Sequence, residues 1–200
     1  YRAVREGVSF LEMCRAVERA VTVSLQPIDL VGSEAVILFQ DIFTPVPGMG
    51  VDLDFAPGPV MAEPLRTEAQ IDALEVPDPR QSVPFVFEII RELRSALEAR
   101  RVPLLGFAGA PFTLASYAIE GGASRNYTYV KKMMYERPDL WHNLVSKLVD
   151  QVSSYLHLQI TSGVEAIQLF DTWVGNLSLQ DFQNFVRPHL KRLLSDVQGE

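Results

Sequence analysis

The sequence predicts an α/β protein in which parallel strands alternate with helices. Three short apolar runs, residues 35–39, 102–108 and 164–170, have the length and the Val, Ile and Leu content of buried strands. Helical patterns separate these runs, and strands separated by helices usually pair in parallel through right-handed crossovers.

Polar or small residues follow each run, at 40–41, 109–110 and 171–172. In parallel α/β folds the chemistry lies at the carboxyl ends of the strands, and long loops after those ends favour a (β/α)8 TIM barrel over a doubly wound sheet. A whole barrel has eight strands and about 250 residues. We expect residues 1–200 to form a single domain that is an incomplete portion of one barrel, unless the fold is a different one.

The N-terminal segment, residues 1–31, is predicted to consist of helices and connectors. The apolar spacing from Val17 to Leu25 favours a helix, which Pro27 either interrupts or follows by opening a second one. The first strand is predicted at residues 35–39.

A long excursion rich in proline and glycine, residues 44–66, follows the first strand. A small hairpin is predicted within it, formed by residues 51–55 and 60–62. Thr67 and Gln70 have the spacing of a capping box, which opens a short helix.

Longer helices are predicted between and after the other two strands. Residues 84–101 have one clear apolar face, and Pro111 stands at a first helical position directly after the second strand. Ser178 is a predicted N-cap, and Pro188 is an irregularity inside the last helix. The further predicted helices are 126–136, 138–161 and 179–197.

The composition excludes several classes of protein. A net charge of −7 and a pI near 5.0 argue against a nucleic-acid-binding protein and against binding to an anionic membrane. No apolar run is long enough to span a bilayer. Cys14 is the single cysteine, so an internal disulfide is excluded and a reducing, cytoplasmic location is expected. No Cys/His cluster has zinc spacing, and we expect no metal site.

The chain begins at Tyr1 and ends at Glu200, directly after a helical pattern. Both ends look cut, so we expect a piece of a longer chain.

Asp41 is the candidate functional residue of the first strand. A carboxylate at the mouth of a buried strand is costly to desolvate, so a cation or hydrogen-bond donors should compensate it. Asp is also a common cap of a following turn. On this stretch alone the two interpretations are balanced.

Several long phrases resemble one family, the uroporphyrinogen decarboxylases, in the same order and spacing along nearly the whole chain. The phrase GFAGAPFTLASY within residues 106–122 is long and highly specific. The matching phrases are YRAVREGVSFLEMC (1–14), SLQPI (24–28), ILFQDI (37–42), PGMG (47–50), GFAGAPFTLASYAIEGG (106–122), KKMMYERP (131–138) and QLFDTWVGNLS (168–178).

The resemblance implies a homodimeric (β/α)8 barrel that removes the four acetate carboxyls of uroporphyrinogen III as CO2 and gives coproporphyrinogen III. It implies that no metal or organic cofactor takes part. The family's central aspartate matches Asp41, its active-site tyrosine matches Tyr117, and a later serine or threonine matches Thr172. Its arginine-rich RQAGR signature would precede Tyr1, and a late substrate-contacting histidine would lie beyond Glu200.

Decarboxylation needs a sink for the electrons of the broken bond, and a pyrrole protonated on a ring carbon can accept them. We expect an ionised Asp41 to stabilise the cationic ring, and the hydroxyls of Tyr117 and Thr172 to bind a carboxylate arm. An octa-acid substrate also needs local cations. Arg2 and Arg5 are the nearest candidates, with Arg5 the expected substrate ligand, although both could be surface arginines of a helix.

Other side chains leave alternatives open. Asp171 is either a second site acid or the cap of a turn. Phe43 and Phe112 are expected to wall the macrocycle, whereas Phe39 and Phe107 are expected in the core. The three histidines are expected to be structural or exposed; they are His142, His157 and His189.

Two rival functions remain. A corrinoid-linked methyltransferase of the same barrel superfamily would need Cys/His zinc ligands, for which this chain has no suitable spacing. A non-catalytic tetrapyrrole-binding protein would keep the aromatic walls and would tolerate the loss of Asp41.

Overall fold

A three-stranded parallel sheet is the centre of the structure, a computed structural model that describes residues 1–55 and 58–198. Its strands are β1 (Val36–Ile37), β4 (Leu104–Gly109) and β5 (Ala166–Phe170), in the spatial order β1–β4–β5. The remaining two strands, β2 (Leu53–Phe55) and β3 (Pro59–Met61), form a separate antiparallel hairpin. β1 and β5 lie within their predicted runs, and β4 overlaps its run of residues 102–108 but extends one residue further, to Gly109.

Ala56 and Pro57, at the tip of the predicted hairpin, and Gly199 and Glu200, at the end of the predicted domain, lie outside the described residues. The described helices are α1 (Arg2–Arg5), α2 (Phe10–Arg15), α3 (Val17–Val31), α4 (Glu68–Asp72), α5 (Pro79–Ser82), α6 (Pro84–Leu97), α7 (Pro111–Glu120), α8 (Thr128–Glu136), α9 (Pro138–Thr161), α10 (Leu179–Asp181) and α11 (Arg187–Gln198). No described helix combines the length and the apolar character needed to cross a membrane.

The two faces of the parallel sheet differ in their cover. Val36, Leu104 and Ala108 lie on the face covered by helices and are almost completely buried. The alternate residues lie on the opposite face, where Ile37 and Phe170 are exposed. In the described part of the chain, the first face is therefore the more fully covered of the two.

Helix α9 contributes most to the covered face, and its bounds match the prediction. Pro138 begins it, because a proline at the first helical position loses no helical hydrogen bond. Gly163 follows its end with φ +106°, a conformation that other residues rarely adopt. Most of its apolar side chains are buried, and Trp141 and Tyr155 are completely buried.

Strand β1 is shorter than the predicted run of residues 35–39. The Leu38 amide still donates to the Leu105 carbonyl, at 3.0 Å. The Phe39 amide, however, donates to the Ser24 hydroxyl of α3 at 3.0 Å, so the ladder with β4 ends there. A side-chain acceptor on a neighbouring helix therefore ends the strand just before Asp41.

Prolines affect the helices in three different ways. Pro27 lies inside α3 without dividing it, so neither predicted alternative is correct. Pro79 opens α5, and Asp78 caps that helix by accepting a hydrogen bond from the Arg80 amide at 2.9 Å. Pro188 lies inside the predicted last helix, where it cannot donate an amide hydrogen bond. A π-helix, Phe182–Val186, precedes it there, so the predicted helix is not a regular α-helix throughout.

Candidate functional site

The carboxyl ends of the three parallel strands are joined by hydrogen bonds between their following loops. The Ala110 amide donates to the Phe170 carbonyl at 2.9 Å, and the Gly109 amide donates to the Ile42 carbonyl at 3.4 Å. The residues that follow β1, β4 and β5 therefore meet at one edge of the sheet, where a parallel α/β fold carries its chemistry.

Asp41 lies in a tight turn at this edge. Its Oδ1 accepts a hydrogen bond of 2.8 Å from the Phe43 amide, and its own amide donates to the Thr44 hydroxyl at 3.2 Å. Asp41 thus caps a turn, which is one of the two interpretations left open by the sequence. The other interpretation is compatible, because Asp41 Oδ2 makes no hydrogen bond with the described residues.

Burial raises the pKa of Asp41 above its usual value, and the hydrogen bond from Phe43 opposes that rise. No ion pair to Asp41 exists among residues 1–55 and 58–198. A partly desolvated carboxylate without a cation favours a cationic or N–H-bearing ligand, because either would offset its charge.

A cavity of about 110 Å³ opens beside Asp41. Arg15, at the end of α2, lines it together with Cys14. Burial raises the pKa of the Cys14 thiol to about 12, which keeps it protonated and unreactive. The sequence did not single out Arg15, since it belongs to no motif and lines the cavity only because α2 packs beside it.

Gln40 connects α2 to the Asp41 turn. Its Nε2 donates to the Cys14 carbonyl at 2.7 Å, and its Oε1 accepts from the Thr44 hydroxyl at 3.2 Å. The Thr44 hydroxyl in turn accepts from the Asp41 amide. The backbone of Asp41 is therefore the end of a continuous hydrogen-bonded chain.

Tyr117 lies close to Asp41. Burial raises the pKa of Tyr117, a hydrogen bond with Trp173 opposes that rise, and the charge of nearby Asp41 adds to it. The Tyr117 ring contacts Phe43 with centroids 5.4 Å apart, and Trp173 with centroids 5.7 Å apart. The structure thus places Tyr117 near Asp41, with Phe43 between the turn and the Tyr117 ring.

Thr172 and Asp171, which follow β5, differ in exposure and in hydrogen bonding. Thr172 is exposed in a 3₁₀ turn, Thr172–Asn176. Asp171 is partly buried and accepts a hydrogen bond of 2.8 Å from the Thr113 hydroxyl, while burial raises the pKa of its carboxyl. Asp171 therefore ties β5 to α7, and Thr172 remains accessible at the site edge.

Arg5 is exposed in α1 and donates to the Tyr1 hydroxyl at 3.3 Å. The Tyr1 ring contacts Phe39, the residue after β1, with centroids 5.8 Å apart. Arg5 is thus connected to the end of β1 through these two rings, but it does not line the cavity beside Asp41.

The aromatic residues differ from the prediction. Phe112, expected to wall a ligand, is completely buried against Trp141, so that expectation is wrong. Phe43 is also completely buried, yet it borders the cavity beside Asp41. Phe39, expected in the core, is only half-buried. Phe112 faces α9 because helix α7 packs against that helix.

His142 and His189 face each other across α9 and α11, with Nδ1 and Nε2 2.7 Å apart. This pair is far from the strand ends in sequence, in accord with a structural role. Within the described part of the chain, no group of three or more His, Cys, Asp or Glu side chains is placed to hold a metal ion.

Comparison with known proteins identifies the family. The family model for uroporphyrinogen decarboxylase matches residues 1–200. Uroporphyrinogen decarboxylase from Pelobacter propionicus is 50% identical over 197 residues, which are 98% of this chain and 58% of that protein. The enzyme of the same name from Geobacter metallireducens is 48% identical over 200 residues, covering 100% of this chain and 58% of that protein.

A solved structure supports the fold. A methyltransferase from Methanosarcina mazei superposes with a TM-score of 0.80 at 19% sequence identity, over 98% of this chain and 58% of that chain. The described chain therefore has a TIM-barrel fold over the part of the barrel that it covers. The chain spans less than two thirds of the length of the curated relatives that it matches. Because the family model matches residues 1–200 and the relative from Pelobacter propionicus is 50% identical, the chain belongs to the uroporphyrinogen decarboxylase family.

Proposed function

We propose that the full-length protein is a carboxy-lyase that converts uroporphyrinogen III to coproporphyrinogen III. The relatives from Pelobacter propionicus and Geobacter metallireducens are named uroporphyrinogen decarboxylase, and they are 50% and 48% identical to this chain. The methyltransferase likeness supports only the fold, because its sequence identity is 19%. The substrate would then be an octa-acid tetrapyrrole, and the pathway would be haem biosynthesis.

The observation that carries the proposal is the environment of Asp41. The carboxylate is partly buried at the carboxyl edge of the sheet, with one hydrogen bond and without an ion pair in the described structure. A fixed anion of this kind, in a medium of low dielectric constant, stabilises positive charge that develops next to it. Pyrrole N–H groups could also donate to its free oxygen.

The electrons of the reaction balance without an external acceptor. Protonation of a pyrrole ring carbon gives a cation. The bond between the acetate methylene and its carboxylate then breaks, CO2 leaves, and the electron pair forms an exocyclic double bond that neutralises the ring. Protonation of that methylene gives the methyl group, and loss of the first proton from the ring carbon restores the pyrrole. Asp41 stabilises the two cationic stages as an ionised carboxylate.

Three further residues have proposed roles in binding. Tyr117, beside Asp41, and Thr172, exposed at the edge, would donate hydroxyl hydrogen bonds to a carboxylate arm. Arg5, exposed in α1, would supply a cation for a carboxylate. In this proposal no metal and no organic cofactor participate, because the substrate ring itself accepts the electrons.

The test is an anaerobic assay of the full-length protein with chemically reduced uroporphyrinogen III. Asp41→Asn keeps the size of the side chain and removes its charge, so we expect a loss of at least about 100-fold in kcat. Asp52→Asn is the matched control, because Asp52 is exposed, and it should retain wild-type turnover.

A chelator in the assay tests the absence of a metal requirement, and turnover should persist. Unchanged activity in Asp41→Asn would disprove the role of that residue. Binding of the tetrapyrrole without release of CO2 by the wild-type protein would instead indicate a non-catalytic binding protein.

For the assembly and location we propose a homodimer in the cytoplasm. The dimer is supported by the family resemblance, and the location by the single, buried, unpaired Cys14, which is typical of proteins from reducing compartments. Light scattering on the full-length protein should give twice the mass of one chain. Cell fractionation should recover the protein with the cytoplasmic markers.

A further inference from the structure

Arg15 and Asp41, which have opposite charges, line the same cavity. Arg15 is the last residue of α2, and its side chain is exposed. Neither side chain takes part in an ion pair within residues 1–55 and 58–198. The guanidinium of Arg15 and the Oδ2 atom of Asp41 are therefore both available to a ligand.

Both charges also act on the Cys14 thiol, which lines the same cavity. Burial is the main cause of the raised pKa of Cys14, the charge of Asp41 adds to the rise, and the charge of Arg15 opposes it. Because the effect of a charge weakens with distance, the guanidinium and the carboxylate both lie near this thiol. The cavity thus combines a cation and an anion that do not neutralise each other.

Other polar side chains of the cavity are already engaged in hydrogen bonds. Gln40 Oε1 accepts from the Thr44 hydroxyl at 3.2 Å. The Ser82 hydroxyl donates to the Asp78 carbonyl at 3.3 Å. Among the described residues that line the cavity, Arg15 is therefore the cation that can bind an anion without giving up an existing ion pair.

The size of the cavity suits one arm of a tetrapyrrole and not the ring system. Its volume is about 110 Å³, whereas pockets for drug-sized ligands have roughly 300–1,000 Å³. A cavity of about 150 Å³ holds one benzene molecule, so this one has room for a short carboxyalkyl chain. The rings of Phe43, Phe55 and Phe85 line it and suit the methylene groups of such a chain.

The proposed decarboxylation, on which this assignment rests, indicates which arm binds. The octa-acid substrate has four acetate arms that react and four propionate arms that remain in the product. An ion pair with a reacting carboxylate would stabilise it relative to the transition state, in which its charge is lost, and would slow the release of CO2. An arm that anchors the substrate in all four steps must also survive each of them. Both conditions select a propionate.

We propose that Arg15 binds a propionate arm of the substrate in the cavity beside Asp41. The planar guanidinium presents paired N–H donors to the carboxylate, while Asp41 accepts from the pyrrole N–H groups. The contact to the propionate is the same in the substrate complex and in the transition state. Arg15 therefore contributes to binding and not to the chemical step.

The test compares the kinetics of variants of the full-length protein under anaerobic conditions. Arg15→Gln should raise the KM for uroporphyrinogen III about five- to thirtyfold and leave kcat almost unchanged. Arg15→Lys keeps the charge but loses the paired donors, so its KM should lie between those of Arg15→Gln and wild type. Arg91→Gln is the matched control, because it removes the same charge from an exposed position of α6 that does not line the cavity; it should behave as wild type.

The affinity for the product identifies the bound arm. Coproporphyrinogen III retains its propionates, so calorimetry should show that Arg15→Gln weakens its binding by about the same factor as the rise in KM. A raised KM with unchanged product affinity would place a reacting acetate at Arg15 and overturn the proposal. Unchanged KM and product affinity, or a fall in kcat alone, would also overturn it.

The outcomes for Arg15 and for the proposed function are separate. A wild-type protein that releases no CO2, but binds coproporphyrinogen III in a manner that depends on Arg15, would disprove the decarboxylase activity and keep the binding site. Decarboxylation by the wild type with unaltered constants in Arg15→Gln would do the reverse. A protein that neither binds nor decarboxylates the tetrapyrrole would overturn both.

Discussion

The Thr113 hydroxyl donates a hydrogen bond of 2.8 Å to Asp171 Oδ1, and it accepts one of 3.2 Å from the Trp173 amide. Thr113 lies in the first turn of α7 and is almost completely buried, whereas Asp171 directly follows β5. A single hydroxyl therefore fixes the loop after β5 against the helix after β4.

Thr113→Val keeps the shape of the side chain and removes this hydroxyl. We expect a loss of about 1–3 kcal/mol in the free energy of unfolding, because a partly buried carboxylate loses its donor and the Trp173 amide loses its acceptor. Urea unfolding of the full-length protein measures it. Thr113→Ser should stay close to wild type, and equal stability of the Val and Ser variants would contradict the prediction.

Gly106→Ala tests the contact between β4 and α9. An added Cβ would lie 2.3 Å from Gln159 Oε1 and 2.9 Å from Ile167 Cδ1, so Gln159 would have to leave the Phe107 backbone. We expect a destabilisation of about 2–4 kcal/mol, from overpacking and from two broken buried hydrogen bonds.

The control for this substitution is Gly175→Ala, since no atom lies within 4 Å of a Cβ built there. Thermal unfolding followed by circular dichroism compares the two variants. Similar melting temperatures for both would show that Gln159 relocates without cost.

The side chain of Lys147, in helix α9, caps the C-terminal end of helix α4. Its Nζ donates to the carbonyls of Ile71, Asp72 and Leu74 at 2.8–2.9 Å. Lys147→Met retains the apolar stem and removes all three bonds, so we expect a loss of about 1–3 kcal/mol and faster amide exchange in α4.

Lys132→Met is the comparison for Lys147, because exposed Lys132 makes only an ion pair of 3.8 Å with Glu136 on its own helix. It should cost less than about 0.5 kcal/mol. Hydrogen exchange that is equally slow in α4 of both variants would refute the capping role.

The lowered pKa of His189 leads us to expect that the protein loses stability in acid. Burial, followed by the charges of His142 and Arg192, lowers the pKa of His189 from 6.5 to about 4. Below pH 6.5 His189 becomes protonated in the unfolded chain but stays neutral in the folded protein. Its contribution to the free energy of unfolding is therefore fully present above pH 6.5 and is lost as the pH decreases towards 4. After allowance for its partial exposure to solvent, we expect a loss of about 1–2 kcal/mol.

Urea unfolding at several pH values between 7 and 4 measures this dependence. His189→Gln should flatten it, whereas substitution of His157, which lies on the same helix as His142, should leave the slope due to His189 in place. An identical slope in His189→Gln and in wild type would assign the acid sensitivity to other groups.

The sequence predicted the strands and the long helices where local signals agree with tertiary packing. Pro138 and Gly163 delimit α9 because each favours one backbone conformation. Strand β1 was overestimated because its end depends on the Ser24 hydroxyl, a partner 15 residues away. Pro27 was misjudged because packing stabilises α3 despite the missing amide hydrogen.

The candidate site was predicted only in part, for the same reason. Asp41 and Tyr117 stand in quoted motifs, and the structure places them near each other. Arg15 reaches the cavity only through the packing of α2.

The π-helix at Phe182–Val186 determines how the following helix, α11, is rotated about its own axis. There the Arg187 amide donates to the Phe182 carbonyl, five residues back, and Trp141 Nε1 donates to the Phe185 carbonyl at 3.0 Å. One residue more per turn rotates the following helix by about 100°. Deletion of a single residue here would make the helix regular and turn His189 away from His142, so this segment should tolerate substitution far better than any change in its length.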